Sequence, residues 1–199
     1  MKALKCFAVL FSFVGLTLVG CSDQLQSPVS PTDQSISGLG SLEKSIIREF
    51  TAIMVPTGGD PNAGFTKYPD GKIIMRGILQ TINLNVTYPD GRTDLPDLLS
   101  GTGDLELNGT VDIIAGTGFF WGKLTLTPAA PEALGGQWQL TWHGKGTLGA
   151  SGWIVPLKEL GHGEGGALTG IQVFLDNNIT AAPAFFPWTG AVNGYTKSH

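Results

Sequence analysis

From residue 72 onward the chain sets apolar side chains at every second position, in one short run after another. Asp104-Leu105-Glu106-Leu107 alternates acid and leucine. Leu124 and Leu126 share one parity against Thr125 and Thr127. Trp138, Leu140 and Trp142 share another, against Gln139, Thr141 and His143. Period two is the signature of a strand with one face buried and one face wet. The chain has 29 glycines, which punctuate these runs, and only 14% charged residues. No long stripe of period 3.6 competes with them. The frame is therefore all-β, with tight turns.

The remaining runs extend the pattern. Residues 45–55, Ser-Ile-Ile-Arg-Glu-Phe-Thr-Ala-Ile-Met-Val, fit both a helical stripe and a strand parity. The β-branched content and the stop at Pro56-Thr57-Gly58-Gly59 favour a strand. Tyr-Pro-Asp-Gly occurs at 68–71 and again at 88–91, each a turn between strands. Between them Ile73, Met75, Ile78, Ile82, Leu84 and Val86 change parity at Arg76-Gly77, which predicts a bulge. Asn108-Gly109 predicts a hairpin. Residues 153–155 predict a short strand. Thr169, Ile171, Val173 and Leu175 share a parity in the next one. The aromatic end, Phe185-Phe186-Pro187-Trp188 through Tyr195, is placed to close the structure. About eight strands joined by short turns predict a single antiparallel β-barrel of up-and-down topology over residues 41–199, with a β-sandwich as the alternative.

Gly-Gly-Gln-Trp-Gln-Leu-Thr-Trp-His-Gly-Lys-Gly (135–146) and Gly-His-Gly-Glu-Gly-Gly-Ala-Leu-Thr-Gly-Ile-Gln-Val (161–173) resemble segments of small antiparallel barrels of the allene oxide cyclase-like type, many of them uncharacterised bacterial proteins. The resemblance covers about a third of the mature chain and implies the barrel fold. It carries no catalytic residue over, since unrelated functions share folds.

The N-terminus sets the compartment. Lys2 and Lys5 precede an uncharged apolar run over residues 6–20, the order of a secretory signal. The run is shorter than the roughly 20 residues of a spanning helix. It ends in Leu18-Val19-Gly20-Cys21, which resembles the lipobox of bacterial lipoproteins. That resemblance implies cleavage before Cys21 and acylation of its thiol, with palmitate-type chains holding the protein at a membrane; an ordinary signal with a chance cysteine is the other reading. Two or more acyl chains anchor stably where one does not. Ser22 stands where lipoproteins kept at the inner membrane carry Asp, so the resemblance favours the outer membrane of a bacterial envelope. Residues 22–40 are polar and rich in Ser, Pro, Gln and Thr. They read as a flexible tether with a reach of roughly 25 Å.

Removal of residues 1–20 takes Lys2, Lys5 and Cys6 away. Ten basic residues then face sixteen acidic ones, a net −6, which argues against nucleic acid as a partner. With Cys21 acylated no thiol remains for a disulfide, so burial of apolar side chains must supply the stability.

Candidate sites are few. His143, His162 and Glu164 have the chemistry of a zinc set but lack a close-spaced ligand pair. The sequence calls for no metal and no cofactor. Gly161–Gly166 lacks the Lys-Ser/Thr ending of a phosphate loop. Gly-x-Ser-x-Gly is absent, and Asp94, Asp97, Asp104 and Glu106 read as solvated acids. Tryptophans are the best binding lead, because each couples a large apolar surface to one N–H. The ligand-binding set is Trp121, Trp138, Trp142 and Trp153 with His143, His162 and Glu164; Trp188 joins the aromatic count. Two functions follow. One is a tethered envelope lipoprotein binding a small apolar or glycan-like ligand or another envelope protein. The other, less favoured, is a small barrel enzyme of isomerase or cyclase type. A solidly packed interior favours the binder, and convergent polar groups inside favour the enzyme.

Overall fold

A computed structural model describes residues 45–60, 63–91, 96–130 and 134–198. The signal peptide, Cys21, the tether and Asp94 lie outside these residues. Among them nine strands form: β1 (Ile46–Gly59), β2 (Phe65–Lys67), β3 (Lys72–Thr87), β4 (Gly101–Asp112), β5 (Thr117–Pro128), β6 (Gln137–Gly149), β7 (Gly152–Glu164), β8 (Gln172–Ala181) and β9 (Trp188–Ser198).

β3 through β9 pair antiparallel in chain order, and β1 pairs with both β9 and β3. The result is a closed barrel of eight strands, with β2 as an extra strand on the start of β3. Closure leaves no long open edge. The alternation does the sorting. Trp138, Leu140 and Trp142 of β6 point inward and are buried, as are Leu124 and Leu126 of β5 and Ile82 and Leu84 of β3. Asp104, Glu106, Lys123, Lys158 and Asp176 sit on the outer face at mid-strand. They share that face with exposed apolar side chains, among them Ile53, Leu79, Phe119, Trp121 and Leu160.

One end of the barrel is plugged. Leu99, Leu134 and Leu168, from the three loops at that end, are buried against the core. Trp138 Nε1 donates to the Leu98 carbonyl at 2.7 Å, pinning the first of these loops. Arg48 latches the same loop: its guanidinium lies 3.6 Å from the Tyr88 ring centre, and it donates to Asp90 at 3.2 Å and to the Pro96 carbonyl at 2.8 Å. Asp97 accepts from the Leu99 and Ser100 amides and from the Tyr88 hydroxyl. Burial alone would raise the Asp97 carboxyl, but hydrogen bonding from the Ser100 side chain first, then from the Ser100 and Leu99 amides and the Tyr88 hydroxyl, outweighs it and holds it below the ordinary range.

Three local expectations are corrected. Asn108-Gly109 is no hairpin; it lies inside β4. The bulge predicted at Arg76-Gly77 is present, and Asn108 Oδ1 accepts its Gly77 amide at 3.0 Å. The Asn thus serves the bulge rather than a turn, and the β4–β5 hairpin turns four residues later. β7 is not short: it runs thirteen residues, because Glu159, Gly161 and Gly163 keep the inward parity without apolar bulk. Thr169 and Ile171 precede β8 rather than belonging to it, and Gly166–Leu168 forms a 3-10 turn that drives Leu168 into the core.

Candidate functional site

The other end is closed differently and leaves space beneath it. The β8–β9 loop, residues 182–187, folds over the barrel end. Phe185 stacks on Trp153 with ring centres 5.1 Å apart, meets Phe120 edge-on at 6.3 Å and lies against Phe65 of β2 at 6.0 Å. Trp153 Nε1 donates to the Pro183 carbonyl at 3.3 Å. Phe185 has a φ of 72°, a left-handed conformation that a bulky residue adopts only when its packing compels it.

Under this aromatic cover lies a cavity of about 60 Å³, taken as the space open to the centre of a water molecule. Its walls are apolar: Met54, Leu107, Val155 and Leu157 among them. Three polar side chains also line it, from adjacent strands. Trp142 of β6 stands directly across the ladder from Glu159 of β7. Asn177 of β8 donates its amide N–H to Glu159 Oε1 at 2.9 Å, and Met54 Sδ lies 3.7 Å from the same nitrogen. All three residues are at most 5% exposed.

This group is incompletely paired. Trp142 Nε1, Glu159 Oε2 and Asn177 Oδ1 are buried with no hydrogen-bond partner. Buried polar atoms are normally satisfied, and each one left over costs about 1–3 kcal/mol. Burial pushes the Glu159 carboxyl up to about 7, and the Asn177 hydrogen bond pulls only weakly against it. By contrast, the interior polar pair at the rim is closed: Trp188 Nε1 donates to Gln80 Oε1 at 3.1 Å.

The backbone makes room for these groups. A Cβ on Gly190 of β9 would stand 2.5 Å from Asn177 Oδ1 and 2.9 Å from Ile179 Cδ1. A Cβ on Gly122 of β5 would enter the Trp142 indole. Glycine at these two positions is what lets a large ring and an amide turn into the barrel.

The seven residues singled out from the sequence go to three places. Trp142 and Trp153 line the cavity. Trp138 is fully buried at the plugged end. The other four are on the outer wall. Trp121 stacks on Phe119 at 5.4 Å and pairs across the ladder with His143. His162 and Glu164 lie 3.1 Å apart, each more than half exposed. Among the described residues no three His, Cys, Asp or Glu side chains gather as a metal would require.

Glu159 and Asn177 were missed by the sequence reading, though a signal existed. Glu159 continues the parity of Trp153, Val155 and Leu157, and Asn177 lies between Leu175 and Ile179 on theirs. A lone acid and a lone amide on apolar parities are a mark of a buried polar site. No family model, curated protein or solved structure matches this chain.

Proposed function

We propose that this chain is a lipid-anchored envelope protein, acylated at Cys21 and carried on the 22–40 tether, whose barrel takes a small apolar ligand into its interior. The observation that carries the binding half is an apolar cavity lined by Trp142, Glu159 and Asn177, each of which also holds a buried atom without a hydrogen-bond partner. A ligand that pairs them regains what their burial costs. The strained Phe185 loop is the natural entry, since lifting it relieves the backbone and exposes the cavity wall.

The anchor has its own test. Cys21→Ala is expected to abolish fatty-acid labelling and leave the precursor uncleaved, as read by mass spectrometry of the N-terminus. An unmodified N-terminus downstream of Cys21 in the wild type would contradict it.

For the cavity, toluene and benzyl alcohol serve as probes that enter only with the Phe185 loop lifted, since both exceed the closed space, with tryptophan emission as the readout because Trp142, Trp153 and Trp188 line it. Emission is expected to shift on titration in the wild type. It should stay still in Ala181→Leu, which fills the cavity from its wall. No shift in the wild type, or an equal one in the filled variant, contradicts interior binding.

A second reading, a small barrel enzyme of isomerase or cyclase type, is favoured by one observation. Glu159 is a buried carboxyl, raised to about 7, among converging polar groups. Mass analysis of a ligand recovered after incubation separates the two: unchanged molecules support a binder, and converted molecules support an enzyme.

A further inference from the structure

The cavity end of the barrel is ringed by the turns at 68–71, 113–116 and 150–151 and by the 182–187 loop. Such tips favour Gly, Pro, Asn, Asp and Ser. The β4–β5 turn instead carries Ile113 and Ile114. Ile114 is 81% exposed, more than any other large apolar side chain described. The turn is pinned on both sides. Asp112 Oδ1 accepts the Ala115 amide at 2.8 Å, and the Gly116 carbonyl accepts the Leu148 amide at 2.8 Å. The Ile113 amide donates to the Gly71 carbonyl at 3.0 Å, which ties this turn to the one at 68–71. A Cβ on Gly71 would stand 2.8 Å from Ile114 Cγ1, so only glycine lets the isoleucine lie across that neighbour. The two isoleucines are therefore held outward as a preformed prong.

The surroundings of the prong are graded. Tyr68 is exposed on the adjoining turn, and Phe119 and Ile154 are exposed on the outer wall close behind. Asp60 and Asp70 are the only charged side chains in the described turns at this end, and Asp70 is paired with Lys72 at 2.8 Å. Lysines come one step back: Lys72 and Lys145 line a groove with Thr117 and Phe119 on the wall beneath the prong. Apolar tips, then a tyrosine, then lysines match the order of a bilayer surface, hydrocarbon first and phosphate behind it. A second copy would need about 800 Å² of matching surface on each side, which a prong two residues wide does not offer.

We propose that the Ile113–Ile114 turn is a second membrane contact, which seats the cavity end of the barrel on a phospholipid surface; this rests on the lipid-anchored reading above. β1 enters at the opposite, plugged end, where Ile46 pairs with Ser198. Strands of twelve residues such as β4 and β5, tilted as in small barrels, span about 30 Å along the axis. The 22–40 tether has an r.m.s. reach of roughly 25 Å, close to that span. A linker whose reach matches its span gives the highest effective concentration for the second contact. The anchor thus supplies proximity and the prong supplies orientation. With this end seated, the Phe185 loop opens against the bilayer, and an apolar ligand passes from lipid to cavity without crossing water.

The test uses the chain from residue 21 onward, since the barrel's ladder closes within residues 46–198. Its single thiol, Cys21, is coupled to a maleimide lipid in nanodiscs of phosphatidylethanolamine and phosphatidylglycerol. Isoleucine δ1 methyls carry ¹³C, and a few lipids carry a gadolinium chelate. Line broadening is expected to be strongest at Ile113 and Ile114 and weakest at Ile46 and Ile47, which are exposed at the other end. In the double variant Ile113→Ser, Ile114→Ser the Ile154 methyl should lose its broadening. The uncoupled chain from residue 22 onward is then sedimented with vesicles of the same lipids. The same double variant should bind them at least about tenfold more weakly than the wild type. The double variant Ile46→Ser, Ile47→Ser should bind as the wild type does. Broadening that is strongest at Ile46 and Ile47, or equal throughout, overturns the seating. Equal vesicle binding by the two double variants overturns it too. Self-association of the wild type without lipid, abolished by Ile113→Ser, Ile114→Ser, assigns the prong to a second copy and overturns the membrane contact. Because the coupling is chemical, a Cys21 that is not acylated in the cell contradicts the anchor alone and leaves these results standing.

Discussion

Trp138→Ala is expected to lower stability by about 4 kcal/mol, within the range for deleting a large aromatic from a core. Trp138 is 0% exposed and fills the plugged half of the barrel beside Leu126. Its removal leaves a cavity the closed ladder cannot collapse around. It also strips the Leu98 carbonyl of its donor, freeing the loop that carries Leu99. Typical domains have about 5–15 kcal/mol in all, and the described residues contain no cysteine with which to form a disulfide. Trp138→Phe keeps most of the ring and loses only the hydrogen bond, so it should cost about 1–2 kcal/mol. Gln139→Ala, on the outer face and accepting from the Thr125 hydroxyl at 3.1 Å, should cost about 1 kcal/mol or less. Urea unfolding of the three variants reads the order. Equal small losses in all three would contradict the inward parity of β6.

The second large effect is electrostatic. Glu159 titrates near 7 in the folded barrel and near about 4.3 in an unfolded chain. Between those values the folded state keeps a proton that the unfolded state releases, so stability falls as pH rises. The contribution is complete below about pH 4.3 and gone above about pH 7, a change on the order of 3 kcal/mol. Glu159→Gln removes the titration and keeps the shape. The variant should match the wild type near pH 4 and exceed it by about 3 kcal/mol near pH 8. Measuring the difference between the two proteins cancels the opposite drift from Asp70 and Asp97, whose carboxyls are held low. Urea midpoints that run parallel across this range would mean that Glu159 is hydrated and ordinary.

The barrel was legible in the sequence because a closed sheet with an apolar interior imposes one rule on every strand. Trp138, Leu140 and Trp142 obey it, and so do Leu124 and Leu126, so each run could be oriented on its own. The Arg76-Gly77 bulge was legible for the same reason, as a break in parity. Asn108-Gly109 misled because its usual meaning is local, whereas its role here is set by Gly77, thirty-one residues away in the chain. β7 was undercounted because an interior with polar groups lets Glu159, Gly161 and Gly163 occupy inward positions. The candidate site suffered from the same effect. Histidines and exposed acids drew the chemistry to the outer wall, at His143, His162 and Glu164. The unpaired polar atoms are on Glu159 and Asn177, which only cross-strand register brings against Trp142.

The most direct measurement is a filtered NOE experiment on the uniformly ¹³C,¹⁵N-labelled chain from residue 22 onward with unlabelled benzyl alcohol near pH 6. Interior binding predicts cross-peaks from the alcohol's protons to the Val155 and Leu157 methyls that line the cavity. Cross-peaks confined to Phe119 and Trp121 on the outer wall, or none at all, would contradict it.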